Sequence, residues 1–318
     1  MIVWLLLLFA AANIFSSIHA ESVTDEQAQE YLKKYGYLNG VFSNKFVVGG
    51  NGKNSSVLRK AIQRFQTMAG LQVTGQLDDE TLTKMQQPRC GFPDVLMMSS
   101  SAVKWSKNNL TYAVTQYTDD VSADVVNQVL KDSFDIWAAV SPLTFERVTS
   151  NPDITIGFHS ASHGDGVPFD GEGGVLAHAL LPYANSVPYL HYDDAELWTY
   201  KNISKILHEN YIDMLYVTVH EIGHVLGLEH TNAANSIMNP YYRSSIDSNG
   251  NYVIPELGTD DIQKIQQLYG NGDPNSTENP KDDSSCVDLI PLCNLMTTQC
   301  SLVVTMQIYC KRTCNFCG

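Results

Sequence analysis

The spacing of hydrophobic residues changes twice along the 318-residue chain. Residues 2–15 are almost all apolar, and the run ends near Ser17-Ile18-His19-Ala20. It is too short to span a bilayer, so residues 1–20 read as a secretory signal peptide cleaved near Ala20. Beyond it, apolar positions recur at helical spacing. Asp25-Glu26 open a helix running towards Leu38. Val57, Leu58, Ile62, Phe65 and Met68 share one face of a second, and Asp78-Asp79-Glu80 begin a third that reaches about Met85. These stripes predict a small three-helix bundle, with Gly/Asn-rich residues 49–54 looping between the first two helices. From Trp105 the period shortens. Leu110, Tyr112 and Val114 alternate with polar residues as a strand. Val125, Val126, Val129, Leu130, Phe134 and Trp137 stripe a long helix, and residues 153–158 form another strand before a Gly/His/Asp-rich loop. A last helix runs from a Thr259 cap through Ile262, Ile265 and Leu268 to Gly270. Mixed in this order, the elements predict an α/β (α+β) domain over residues 99–270, after the bundle at 21–98. Residues 271–285, rich in Asn, Asp, Pro and Ser, read as a flexible linker.

Charge narrows the partners. Twenty basic against thirty-four acidic residues give a net charge of −14, which argues against nucleic acid or an anionic membrane. No later segment is long and apolar enough for a membrane span. Sequons at Asn54, Asn109, Asn202 and Asn275 fit an extracellular glycoprotein. Of seven cysteines, Cys286, Cys293, Cys300, Cys310, Cys314 and Cys317 cluster at the end, the signature of a stapled miniature domain over residues 286–318. Cys90 stands alone.

The chemistry concentrates in His220-Glu221-Ile222-Gly223-His224-Val225-Leu226-Gly227-Leu228-Glu229-His230, which reads H-E-x-x-H-x-x-G-x-x-H. On a helix, His220 and His224 leave one face a turn apart, the separation that grips a single Zn²⁺. Gly227 can take φ > 0, end the helix and turn the chain so that His230 supplies a third nitrogen. Three protein ligands leave zinc's fourth position open for water, whose pKa falls towards ~7 on the metal. Glu221 lies off the ligand face but within reach of that water as a general base. This pattern marks the metzincin proteases, which place a Met-containing turn beneath the zinc; Met238 in Ser236-Ile237-Met238-Asn239-Pro240 takes that place. Upstream, His163, Asp165, His178 and His191 make a closed tetrahedral set suited to a structural Zn²⁺. The same loop holds Asp170-Gly171-Glu172-Gly173-Gly174-Val175, followed by Asp193 and Glu196: carboxylates and exposed carbonyls suited to Ca²⁺. His19, His159 and His208 receive no role.

Over residues 25–270 the chain resembles the matrix metalloproteinases (matrixins). Pro88-Arg89-Cys90-Gly91-Phe92-Pro93-Asp94-Val95 resembles their cysteine switch. There the thiolate takes zinc's fourth position, and Arg89 and Asp94 pair to hold the loop closed. The resemblance implies a latent propeptide over 21–98 and two zinc sites as assigned above. It also implies at least one calcium, held by Asp170, Asp193, Glu196 and the carbonyls of Gly171, Gly173 and Val175. Asp260 and Asp261 match an acidic pair that props the Met turn and receives the trimmed N-terminus. Residues 174–179, Leu176 and Ala177 among them, match the edge strand that pairs with substrate. Val217, Pro240 and Tyr242 match S1′ walls, and Tyr216 stands where Leu is frequent, implying a shallow S1′ for Leu- or Met-sized residues.

Departures remove some family features. Val187-Pro188-Tyr189-Leu190 replaces a Gly-Gly-Asp run, so a second calcium site is not expected, and Ala195 replaces an acidic residue of a third. Residues 199–213 form an insertion. No Arg-x-Lys-Arg motif lies between Cys90 and Trp105, so another protease or autolysis should cut near 97–104; no hemopexin-like segment is seen. The terminal cysteines resemble a ShK-toxin-like (ShKT) domain, which implies Cys286–Cys317, Cys293–Cys310 and Cys300–Cys314; the residues alone allow fifteen pairings. With no Lys or Arg in 301–309, a docking or stabilising role is expected of it rather than channel block.

The expected protein is a secreted metalloendopeptidase zymogen acting on extracellular matrix proteins, collagen included, and open to tissue-inhibitor-type proteins and an unknown ShKT ligand. The rivals are an adamalysin-like metzincin, disfavoured because Thr231 stands where those enzymes have an acid, and a non-catalytic binding protein built around the ShKT module.

Overall fold

A computed structural model describes residues 23–38, 53–96, 103–183 and 186–271. The signal peptide, residues 97–102 of the expected cleavage segment, Asn275, the linker from residue 272 and the six clustered cysteines lie outside the described residues.

Helix α1 (Asp25–Lys34) opens on a reciprocal cap: Thr24 Oγ1 accepts from the Gln27 amide at 3.2 Å, and the Thr24 amide donates to Gln27 Oε1 at 2.8 Å. It ends short of the expected Leu38. Gly36, at φ 87°, turns the chain so that the Leu38 amide reaches the Leu32 carbonyl. Helix α2 (Lys53–Met68) begins inside the expected loop, making residues 53 and 54 helical. Helix α3 (Asp79–Met85) is capped by Asp78, which accepts from the Thr81 amide at 3.0 Å. Ala28, Leu32, Ile62, Phe65 and Met85 form the bundle's core, and Tyr241, from far along the chain, completes it.

The second layer is a six-stranded sheet ordered β1-β5-β6-β4-β2-β3. Its strands are β1 (Arg89–Cys90), β2 (Asn109–Gln116), β3 (Thr144–Arg147), β4 (Ile154–His159), β5 (Val175–Ala179) and β6 (Tyr189–Asp193). Only β5–β6 is antiparallel. Helix α4 (Ala123–Ala138) packs on the central helix α6 (Met214–Val225), and Trp137 Nε1 ties them by donating to the Val219 carbonyl at 2.9 Å. The segment expected to be longer than usual folds, from residue 198, as β7 (Trp198–Thr199), α5 (Ile203–His208) and β8 (Ile212–Asp213), with β7 and β8 paired. Helix α7 (Thr259–Tyr269) closes the domain. Its cap is Gly258 rather than Thr259, because the Asp261 carboxylate reaches back to the Gly258 amide at 2.7 Å.

Candidate metal centre and cleft

Asp213 caps α6 by accepting from the Leu215 amide at 2.9 Å, and every residue of the helix is buried. Gly227 takes φ 98°, and a Cβ there would run into the Val103 carbonyl oxygen. The chain therefore reverses where expected, and His230 folds back over the helix. His230 Nε2 lies 3.3 Å from His220 Nε2 and 3.1 Å from His224 Nε2. Each opposite nitrogen is already committed. His220 Nδ1 meets the Ile237 carbonyl at 2.6 Å, His224 Nδ1 the Leu228 carbonyl at 2.7 Å, and His230 Nδ1 the Asp94 carboxylate at 2.7 Å. Those acceptors fix the protons on Nδ1, so the Nε2 lone pairs point at one another. Burial, with mutual repulsion behind it, holds the rings neutral, pushing His220 down to about 3 and His224 well below its usual range. Converging lone pairs repel unless a cation shares them.

Cys90 supplies the fourth donor, its Sγ 3.5 Å from His224 Nε2. All four donor atoms lie within 4.8 Å of one another. A tetrahedral shell of about 2.1–2.3 Å radius has edges of roughly 3.4–3.8 Å, so this donor set fits zinc. Burial, and then the facing Glu221 carboxylate, pushes the Cys90 thiol well up, so a thiolate here requires a metal charge beside it. Glu221 is fully buried; no N–H or O–H donor reaches its carboxylate oxygens, and burial pushes it up to about 8.

The segment of residues 88–91 crosses the cleft as an added strand. The Arg89 and Gly91 amides donate to the Gly174 and Ala177 carbonyls of the β5 side, both at 2.8 Å. On the other side the Cys90 amide donates to the Pro240 carbonyl, and the Tyr242 amide to the Pro88 carbonyl, each at 2.9 Å. Arg89 is 1 % exposed, paired with Asp94 at 2.6 Å as expected, and its guanidinium stacks 3.5 Å from the Tyr35 ring centroid. Tyr31 accepts from Arg89 Nη1 at 2.5 Å, and Tyr37 donates to Asp94 at 2.5 Å. Burial opposes the Asp94 charge, but Arg89 and His230 outweigh it and hold the carboxyl well below its usual range. Sequence reasoning found the Arg89–Asp94 pair and missed both the tyrosine box and the Asp94–His230 contact.

The second histidine set also converges. Asp165 Oδ2 lies 2.8 Å from His163 Nε2, 2.7 Å from His178 Nε2 and 3.1 Å from His191 Nδ1, and these four donor atoms also lie within 4.8 Å of one another. His159, given no role from sequence, stacks on His163 at 5.1 Å and meets His191 edge-on at 4.6 Å. In the adjoining loop the three carboxylates of the expected calcium site each reach a separate amide of residues 171–175 and, among the described residues, do not gather into a cluster as the two histidine sets do. Asp193 accepts from the Gly171 amide at 3.1 Å, Glu196 from the Gly173 amide at 2.6 Å, and Asp170 from the Val175 amide at 3.0 Å. Burial, then the neighbouring acids, pushes Glu196 up to about 7.

Beneath α6, Met238 is fully buried, and Gly223 leaves room for its sulfur. Asp261 receives the Ile237 and Gly258 amides, both at 2.7 Å, along with the Ser236 hydroxyl. Asp260 is half-buried, paired with Lys264 at 2.9 Å and bonded to the Thr231 hydroxyl, while the amides of the Met238 segment go to Asp261. A pocket beside Glu221, partly open to solvent, is lined by Leu176, Tyr216, Val217, Pro240 and Tyr242, with Arg89 and Cys90 of β1 also on its wall, whereas Ala177 is buried in β5 between β1 and β6. Among the described residues no helix is long and apolar enough to cross a membrane.

Residues 104–270 match the family model described as matrixin, residues 25–85 that of a peptidoglycan binding domain, and residues 285–317 that of a ShK domain-like module. Matrix metalloproteinase-C of Caenorhabditis elegans is 42% identical over 271 residues, covering 83% of this chain and 46% of the relative. Stromelysin-1 of Mus musculus is 37% identical over 258 residues (80% and 51%), and interstitial collagenase of Bos taurus 38% over 279 (84% and 55%). The chain thus spans about half the length of these relatives.

Proposed function

Because the chain belongs to the matrixin family, we propose that it is the secreted, latent form of a zinc-dependent endopeptidase. The observation that carries the reading is the set of three metal-facing Nε2 atoms with Cys90 Sγ beside them and the buried Glu221 carboxylate alongside. His220, His224 and His230 would hold the catalytic zinc, which when bound polarises a peptide carbonyl and acidifies a water. Glu221 takes the proton from the attacking water and delivers it to the leaving amine. The edge strand β5 aligns the substrate backbone once residues 88–91 leave it.

Latency follows from the same contacts: Cys90 occupies the fourth ligand position, and Arg89 and Asp94 anchor it. The second histidine set would hold a structural zinc, and Asp170, Asp193 and Glu196, with the carbonyls of Gly171, Gly173 and Val175, a calcium. Two relatives are named as collagenases, interstitial and neutrophil. We extend that to extracellular matrix proteins as the substrate class, with tissue-inhibitor-type proteins as regulators and the ShK-like module as a docking element.

Two variants test the reading. Glu221→Ala should keep its zinc by elemental analysis yet lose roughly 10²–10⁴-fold in cleavage of a quenched peptide after activation. Cys90→Ser should cleave without trimming. Full activity in the first, or silence in the second with zinc bound, would sink the base or the latch respectively.

A further inference from the structure

Beside the cleft, the Tyr216 ring is 7 % exposed and meets Tyr242 edge-on at 5.5 Å between centroids. Its hydroxyl accepts a hydrogen bond from Arg243 Nε at 2.7 Å. The remaining face of that guanidinium is committed too: Nη1 donates to the Ala234 carbonyl and Nη2 to the Ser236 carbonyl, each at 2.5 Å. Ser236 in turn belongs to the segment that Asp261 anchors beneath α6. Tyr216 and Tyr242 line the cleft and Arg243 does not, so the Tyr216 ring stands between the cleft and the arginine.

We propose that Arg243 is a specificity-determining residue of the endopeptidase reading above: it pins Tyr216 across the inner end of the S1′ pocket and so fixes the pocket's depth. The argument is one of rigidity. A tyrosine held only by packing can swing aside through a χ1 change to admit a long side chain, at the cost of the displaced contacts. Here the same movement breaks a charge-assisted hydrogen bond on a guanidinium that cannot follow, because two backbone carbonyls hold its other arms. Opening the pocket therefore leaves a half-buried Arg243 Nε without its acceptor. Sequence alone pointed to Tyr216 and left open whether its ring could step aside; Arg243 is what removes that freedom. The proposal assigns no contact between Arg243 and substrate. The arginine acts through the tyrosine.

The test uses the full chain, zinc-loaded and activated by trimming, with peptides that differ only at P1′: Leu against a long aromatic group. Arg243→Ala should raise the ratio of kcat/KM for the long group over Leu by about ten-fold or more, the scale on which apolar pockets discriminate. Tyr216→Phe, which removes the hydroxyl and leaves Arg243 on its carbonyls, should raise it in the same direction by less. A merely structural arginine would lower both rates together and leave the ratio alone. Crystals of the latent Arg243→Ala chain give a readout independent of turnover: the Tyr216 ring should leave its edge-on place against Tyr242. An unchanged ratio in both variants, or a ring that stays in place without its partner, overturns the pin. Wild-type protein that binds zinc but cleaves no peptide would count against the endopeptidase reading, with the ring position still deciding the pin.

Discussion

Asp261 shows how much one carboxylate can organise. It is fully buried, and burial pushes its pKa above the ordinary carboxylate value, so the fold bears a cost for its charge. That cost is offset by the Ile237 and Gly258 amides and the Ser236 hydroxyl, which together hold the segment under the metal helix. His220 Nδ1 bonds the Ile237 carbonyl in the same segment, so an error there reaches the metal through one peptide unit. Asp261→Ala strands several buried donors at once. The expected loss is about 3 kcal/mol or more in urea unfolding of the latent chain, with weakened zinc retention. A loss under about 1 kcal/mol would show that the amides find other partners.

At the scale of elements, the segment around β1 has two jobs that sequence separated poorly. The octapeptide was visible as a motif, and so were Cys90 and the Arg89–Asp94 pair. What periodicity could not give is the strand itself: two residues carry no alternation, and they become a strand only because β5 and residues 240–242 offer edges on both sides. The same reason hid β3, β6 and the β7–β8 pair, whose short runs are decided by neighbours far along the chain. The long helix α4 was legible because its apolar positions repeat at helical spacing, whereas α6, buried on every side, was legible only through its His220–His224 motif. The Asp94–His230 contact, which no spacing encodes, sets the element-level prediction. In Asp94→Ala, Arg89 keeps its charge 1 % exposed with its carboxylate gone, and His230 Nδ1 loses its acceptor. Breaking such a buried pair costs about 3–5 kcal/mol, enough to undock the segment in a measurable fraction of molecules. The untrimmed variant should therefore leak peptidase activity and be clipped faster near residues 88–95, and tight latency would refute it.

Across the whole molecule the excess of acid, net −14, is not spread evenly: residues 148–200 carry no Lys or Arg, and the loop proposed for calcium, with Asp170, Glu172, Asp193 and Glu196, lies there. Glu196 lies 4 % exposed, pushed up to about 7 by burial first and by Asp193, Asp170 and Glu172 after it. Asp193 is raised for related reasons, burial and then the charge of Asp170. An acid whose folded pKa exceeds its unfolded one binds more protons when folded. Its penalty is full above the folded value and disappears as pH falls towards the unfolded one. Calcium-free chain should therefore gain stability as pH drops from about 8 through 7 towards the ordinary glutamate value of 4.5. A bound divalent cation reverses the sign of the local field, so calcium should favour the ionised loop and remove that slope. Thermal unfolding with millimolar calcium and with none, at pH 8 and at pH 5.5, reads both effects. The increment at pH 8 should reach about 2–3 kcal/mol once calcium exceeds its dissociation constant a hundred-fold, and it should shrink at pH 5.5. Equal increments at the two pH values would mean that the carboxylates on residues 170–196 do not share a cation, and that the amides of Gly171 and Gly173 are their proper partners.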